Sequence, residues 1–178
     1  MWPCDQDPPL ASNLNYSTGE TIPNLVITKL SAAGTVCIVG QATTQVVADI
    51  NGYFSPSDSY TPTPPERLLD TRTGVGAPAG QLAAGDTLTL QVTGAGHTNV
   101  PATATAVAIN VTVTGPDQDG FLTVWPCGSP QPLASNLNYT VGETIPNLVL
   151  AKLGTGGTIC IAAQATTDVV ADVNGWFS

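Results

Sequence analysis

The sequence predicts an all-β protein of antiparallel sheets, organised as one Greek-key, sandwich-like unit plus a repeated half unit. Three observations carry this expectation. Residues 2 to 55 are written again at residues 125 to 178 without a gap, and 37 of the 54 aligned pairs are identical. Thr and Val are abundant, Glu and Lys are scarce, and no stretch sustains a helical period. The four cysteines fall as one pair in each copy. The chain therefore reads as a segment A (1 to 55), a single segment B (65 to 124) and a second A (125 to 178), with residues 65 to 178 forming one complete unit.

Taken in order, segment A predicts strands at about Ala11 to Tyr16, Asn24 to Leu30, Thr35 to Val39 and Gln45 to Asn51. The punctuation "STGET", "SAAG" and "NG" separates or follows them, and the second copy keeps it as "TVGET", "GTGG" and "NG". Residues 56 to 64 read as a proline-rich linker and place a domain boundary near residue 60. In segment B the strands are Asp86 to Thr93, Thr105 to Thr114, and Gly120 to Trp125, which crosses into the second A. Val107, Ile109, Val111 and Val113 alternate with Ala108, Asn110 and Thr112, the mark of one buried and one partly polar face.

A weaker internal echo leaves a second architecture open. "AGDTLTLQV" looks like "TGETIPNLVI" and "TAVAINV" looks like "QVVADIN", so the three segments could instead close as a single pseudo-threefold β domain of related sectors.

Charge and cysteine usage narrow the function classes. Four basic against thirteen acidic side chains give a net charge of -9, a surface that disfavours nucleic acid and anionic membranes. No apolar run approaches the roughly 20 residues of a bilayer span, so membrane insertion is not expected. The opening residues are not a signal peptide. They reach "WPC" straight from Met1, whereas the second copy arrives through "GFLTV", so the start reads as truncated with any export signal upstream. Cys4 and Cys37 are 33 residues apart, as are Cys127 and Cys160, the pattern of one structural disulfide per A segment in an exported chain. Zinc would want closer Cys or His spacing, and His97 is the sole histidine, so no metal or cofactor is expected.

The strings "PERLLDTRTGVGAPAGQLAAGDTLTLQVTG", "AVAINVTVTGPDQDGFLTVWPCG", "ASNLNYTVGETIPNLV" and "VVADVNGWFS" together resemble a tandem repeat of secreted and cell-surface proteins of actinobacteria. The resemblance covers residues 65 to 178 as a complete unit and residues 2 to 55 as the latter half of a preceding one. It implies an extracellular, non-catalytic module.

The chemistry-bearing residues agree with a chain that is not an enzyme. A hydrolytic triad needs a histidine beside a nucleophile, and His97 stands in a Gly/Thr-rich loop. Paired glycosidase carboxylates could be sought among Glu20, Glu143, Asp49 and Asp172, but each recurs at the same place in both copies and reads as turn-stabilising. Arg67, Asp70 and Arg72 read as a structural ion pair at the start of the complete unit. Asp117 and Asp119 in "PDQDG", and Asp5 and Asp7 in "CDQDPP", are spaced as calcium ligands are, without the EF-hand pattern. The candidate ligand-binding set is duplicated: Trp125, Asn136, Asn138 and Tyr139, with Trp2, Asn13, Asn15 and Tyr16, and the terminal Tyr53 or Trp176. Aromatic faces beside amides suit a polysaccharide, and duplicated weak sites would gain by avidity. Against that stands a structural, adhesive or self-assembly role, in which the first A segment competes for B between chains as a swapped dimer or a head-to-tail fibre.

Overall fold

The computed structural model describes residues 1–8, 13, 14, 16–54, 59–95 and 100–178, apart from the side chain of Pro64. Asn15 and His97 lie outside the described residues. The strands are β1 (Trp2–Pro3), β2 (Val36–Cys37), β3 (Tyr60–Asp70), β4 (Thr87–Gln91), β5 (Ala106–Thr114), β6 (Gly120–Pro126), β7 (Leu137–Tyr139), β8 (Thr144–Lys152), β9 (Thr158–Ala163) and β10 (Asp168–Phe177).

β3 to β10 form two four-stranded antiparallel sheets in the orders β3-β10-β5-β8 and β4-β9-β6-β7. Numbered from β3, these orders are 1-8-3-6 and 2-7-4-5, the jelly-roll arrangement in which two Greek keys close into a sandwich. Both sheets come from B and the second A. Among the described residues the first A segment contributes no strand to either, so the threefold closure is not the arrangement formed there.

The core lies between the inner faces of the two sheets. Val107, Ile109, Val111 and Val113 of β5 are fully buried there, on the face the alternation predicts. Leu69, Leu90, Leu122, Leu137, Ile159, Ile161 and Val173 fill the same cluster from the other strands. Trp125 instead joins Cys160, Ala162 and Cys127 in a separate small cluster. Since Ile159 and Ile161 face the main core, Cys160 and Ala162 must project from the opposite face of β9. The "GTGG" turn joins β8 to β9 with Gly156 and Gly157 both at φ 73°, a conformation that side chains rarely adopt.

The proline-rich stretch is corrected by the structure. From Tyr60 onward it is not a linker but the first half of β3, an edge strand paired with β10 from Phe177↔Tyr60 to Val170↔Asp70. An edge strand tolerates Pro62 and Pro65 because one of its sides needs no ladder donors. Register shifts at Ala171/Asp172 and Val173/Gly175 accommodate the irregular partner.

The two A segments part company here. The strands expected in A appear in the second copy as β7, β8, β9 and β10. Among the described residues of the first copy, only β1 and β2 form. The cause lies in the pairing: β10 sits between β3 and β5, β8 beside β5, β9 between β4 and β6, and β7 beside β6. Almost every ladder thus joins an A strand to a B strand. The exception is the end of β6, where Trp125↔Cys160 and Pro126↔Ile159 pair within A. The first copy keeps that one exception, as Trp2↔Cys37 and Pro3↔Val36.

Candidate functional site

No B strand is laddered onto the described residues of the first A segment, and what they retain is local. Trp2 Nε1 donates to Gln6 O at 3.1 Å, as Trp125 Nε1 donates to Ser129 O at 3.2 Å. Asn24 Nδ2 reaches Asn13 O at 2.6 Å, and Asn147 Nδ2 reaches Asn136 O at 2.6 Å. In the "GET" turns Glu20 accepts from Ser17 N at 2.7 Å and Glu143 from Thr140 N at 2.9 Å, so both carboxylates do hold turns. Each copy has its disulfide, Cys4–Cys37 and Cys127–Cys160. Two such bridges suit an oxidising compartment.

What the first copy lacks is cover. Val47 is 87% exposed while its counterpart Val170 is 4% exposed. Ile27, Leu30, Ile38, Val39, Val46, Tyr53 and Phe54 are exposed as well. This unpaired repeat half is the most distinctive surface of the chain, because soluble domains seldom leave so many apolar side chains of one segment in water. Asp49 lies between Val47 and Ile50, exposed, with no hydrogen bond or ion pair among the described residues.

Asp49's counterpart, Asp172, is engaged. Its two carboxylate oxygens accept from Arg67 Nε at 2.8 Å and Nη2 at 3.2 Å, a bidentate grip between β10 and β3. Arg67 Nη1 also meets Asp70 Oδ2 at 3.0 Å, and Arg72 clasps Asp70 through Nε at 2.9 Å and Nη2 at 2.7 Å. The Arg72 hydrogen bonds hold the buried Asp70 carboxyl far below the usual carboxylate range, outweighing the opposing effect of burial. The hydrogen bond to Asp172 raises Arg67 above the usual guanidinium value. Arg67, Asp70 and Arg72 therefore meet as the sequence predicts. Asp172 is the member that sequence reasoning missed: it lies on a strand, gripping β3, and does not serve a turn. Its signal was available in "VVAD", which places the acid one strand residue beyond a buried run.

Of the candidate sugar-binding residues of the second copy, Tyr139 faces the core, whereas Trp125 and Asn138 lie on the opposite face of their sheet and are tied into the fold there. Trp125 is 6% exposed. Tyr139 is 4% exposed; its hydroxyl donates to Phe121 O at 3.3 Å and accepts from Ala165 N at 3.2 Å. Asn136 Oδ1 accepts from Val124 N at 2.7 Å, and Asn138 Oδ1 from Ser135 Oγ at 2.7 Å. These groups are brought together as internal fasteners and present no aromatic platform. In the first copy Trp2 is partly buried while Asn13 and Tyr16 are exposed, with Tyr16 Oη accepting from Ala42 N at 3.4 Å. Asp119 Oδ1 accepts from Val141 N at 2.8 Å, tying its turn to the next one. Among the described residues no group of three or more His, Cys, Asp or Glu side chains could hold a metal ion.

Compared with known proteins, the sequence matches no family model and no curated protein.

Proposed function

We propose that the chain is a non-enzymatic, exported β-repeat module whose role is assembly, and that its first A segment joins it to another polypeptide by strand complementation. One observation carries this reading. Closely similar sequence occurs twice, once with its strands laddered into a sandwich and once with the equivalent apolar side chains in water. Burying apolar area on the scale of those side chains is worth roughly 1.5 to 3 kcal/mol for each large one, a strong drive toward any polypeptide that can cover them. The internal hydrogen bonds that engage Trp125, Asn136, Asn138 and Tyr139 favour assembly over polysaccharide binding.

The test is solution mass by light scattering, with and without added strand-bearing polypeptide, for the native chain and for Val47→Asp. The native chain is expected to form complexes that Val47→Asp does not. A native chain that remains alone under both conditions contradicts the assembly reading.

A further inference from the structure

Resting on that reading, we propose that the occupant of the first A segment is a polypeptide carrying a B-type segment, with Asp49 receiving the first arginine of its Arg-Leu-Leu-Asp-Thr-Arg motif. The occupant's chemistry is visible in the same chain. β3, β4, β5 and the B part of β6 are the strands that flank β7 to β10, whose sequence the first A repeats. The receiving half already keeps local contacts that the second copy makes within the sandwich, including the Asn24 to Asn13 bond of 2.6 Å. Even the seam is kept: the Met1 amino group donates to Asn13 Oδ1 at 2.5 Å, where Val124 N donates to Asn136 Oδ1 at 2.7 Å.

Asp49 supplies the recognition. Asp172, its counterpart, holds Arg67 at 2.8 and 3.2 Å, and a planar carboxylate facing a guanidinium fork is specific for Arg over Lys. An unpartnered Asp49 beside exposed Val47 and Ile50 is the same receptor before its arginine arrives.

The experiment mixes the full chain with a fragment of residues 59–124, diluted together from denaturant. It reads solution mass by light scattering, and hydrogen exchange by mass spectrometry on Gln45–Phe54 and Asp168–Phe177. The expected result is a one-to-one complex in which Gln45–Phe54 exchange slows by roughly a hundredfold or more, reaching the protection of a formed ladder. Asp49→Asn in the chain, or Arg67→Ala in the fragment, should each weaken binding by roughly two- to fivefold, as befits a half-exposed ion pair. Because both remove one contact, the pair together should weaken it little further, and Asp49→Glu should restore part of the loss. The proposal is overturned if the fragment leaves Gln45–Phe54 unprotected, or binds Asp49→Asn as tightly as the native chain. Should the fragment fail while the native chain associates with itself and Val47→Asp does not, the assembly reading survives and the B-type partner falls. If neither association occurs, both fall.

Discussion

Ile50 and Val173 occupy the same position of the repeated segment, yet Val173 is 0% exposed and Ile50 is 93% exposed. Val173 lies opposite Ile109 of β5 and Glu66 of β3, and Ile50 has neither neighbour. The chain thus holds an internal control: closely similar local sequence, with and without its partner strands.

That control predicts an asymmetry in stability. Val173→Ala removes two methyl groups from the sandwich core and should cost about 2 to 3 kcal/mol, because neighbours in a closed core only partly collapse. Ile50→Ala should change the same unfolding transition by less than about 0.5 kcal/mol. Urea denaturation of the two variants, followed by tryptophan fluorescence, measures both.

The Asp70 cluster predicts a pH dependence of known sign. Its carboxyl titrates lower folded than unfolded, so the stabilisation is fully present above the unfolded value of about 4 and is lost as pH falls below it. The melting temperature of the native chain should therefore drop between about pH 4 and pH 2, and Asp70→Asn should flatten that drop. At neutral pH Asp70→Asn should cost about 1 to 3 kcal/mol, the worth of charge-assisted hydrogen bonds. A slope identical to the native chain's would contradict Asp70 as its source.

Arg67→Lys keeps the charge and loses the fork that grips Asp172. Arg67 is nearly half exposed, so solvent screens the pair and the loss should be modest, about 0.5 to 1 kcal/mol. Thermal melting of Arg67→Lys beside Asp172→Asn checks this, and the two losses should not add.

The two cystines should behave differently although their sequences match. Removing Cys127–Cys160 as a double Ser variant releases a loop of 33 residues' separation and should destabilise the sandwich by about 3 kcal/mol. Removing Cys4–Cys37 should leave the sandwich transition unmoved. Calorimetry of the two double variants separates the cases.

Much of this was legible in the sequence because it is local. The strand pattern of A reappears as β7 to β10, the alternation of β5 marks its buried face, and the cysteine pairs close as spaced. Two things were not legible. Proline chemistry in Tyr60–Asp70 imitates a linker, since an edge strand and an extended linker place the same demands on a residue that lacks an N–H. The alternation of A and B strands across both sheets depends on pairings far apart in the chain, which no local pattern encodes. Asn136 and Tyr139 looked like ligand groups for the same reason: amides and hydroxyls that fasten a loop are the residue types that bind sugars.

Hydrogen exchange of the free chain, comparing Gln45–Phe54 with Asp168–Phe177, tests most directly whether the first repeat half stands open. The account predicts that Asp168–Phe177, laddered on both sides by β3 and β5, exchanges slower by roughly a thousandfold or more than its near-identical counterpart. Equal protection of the two segments would mean that both are laddered, and would contradict the open half-sandwich.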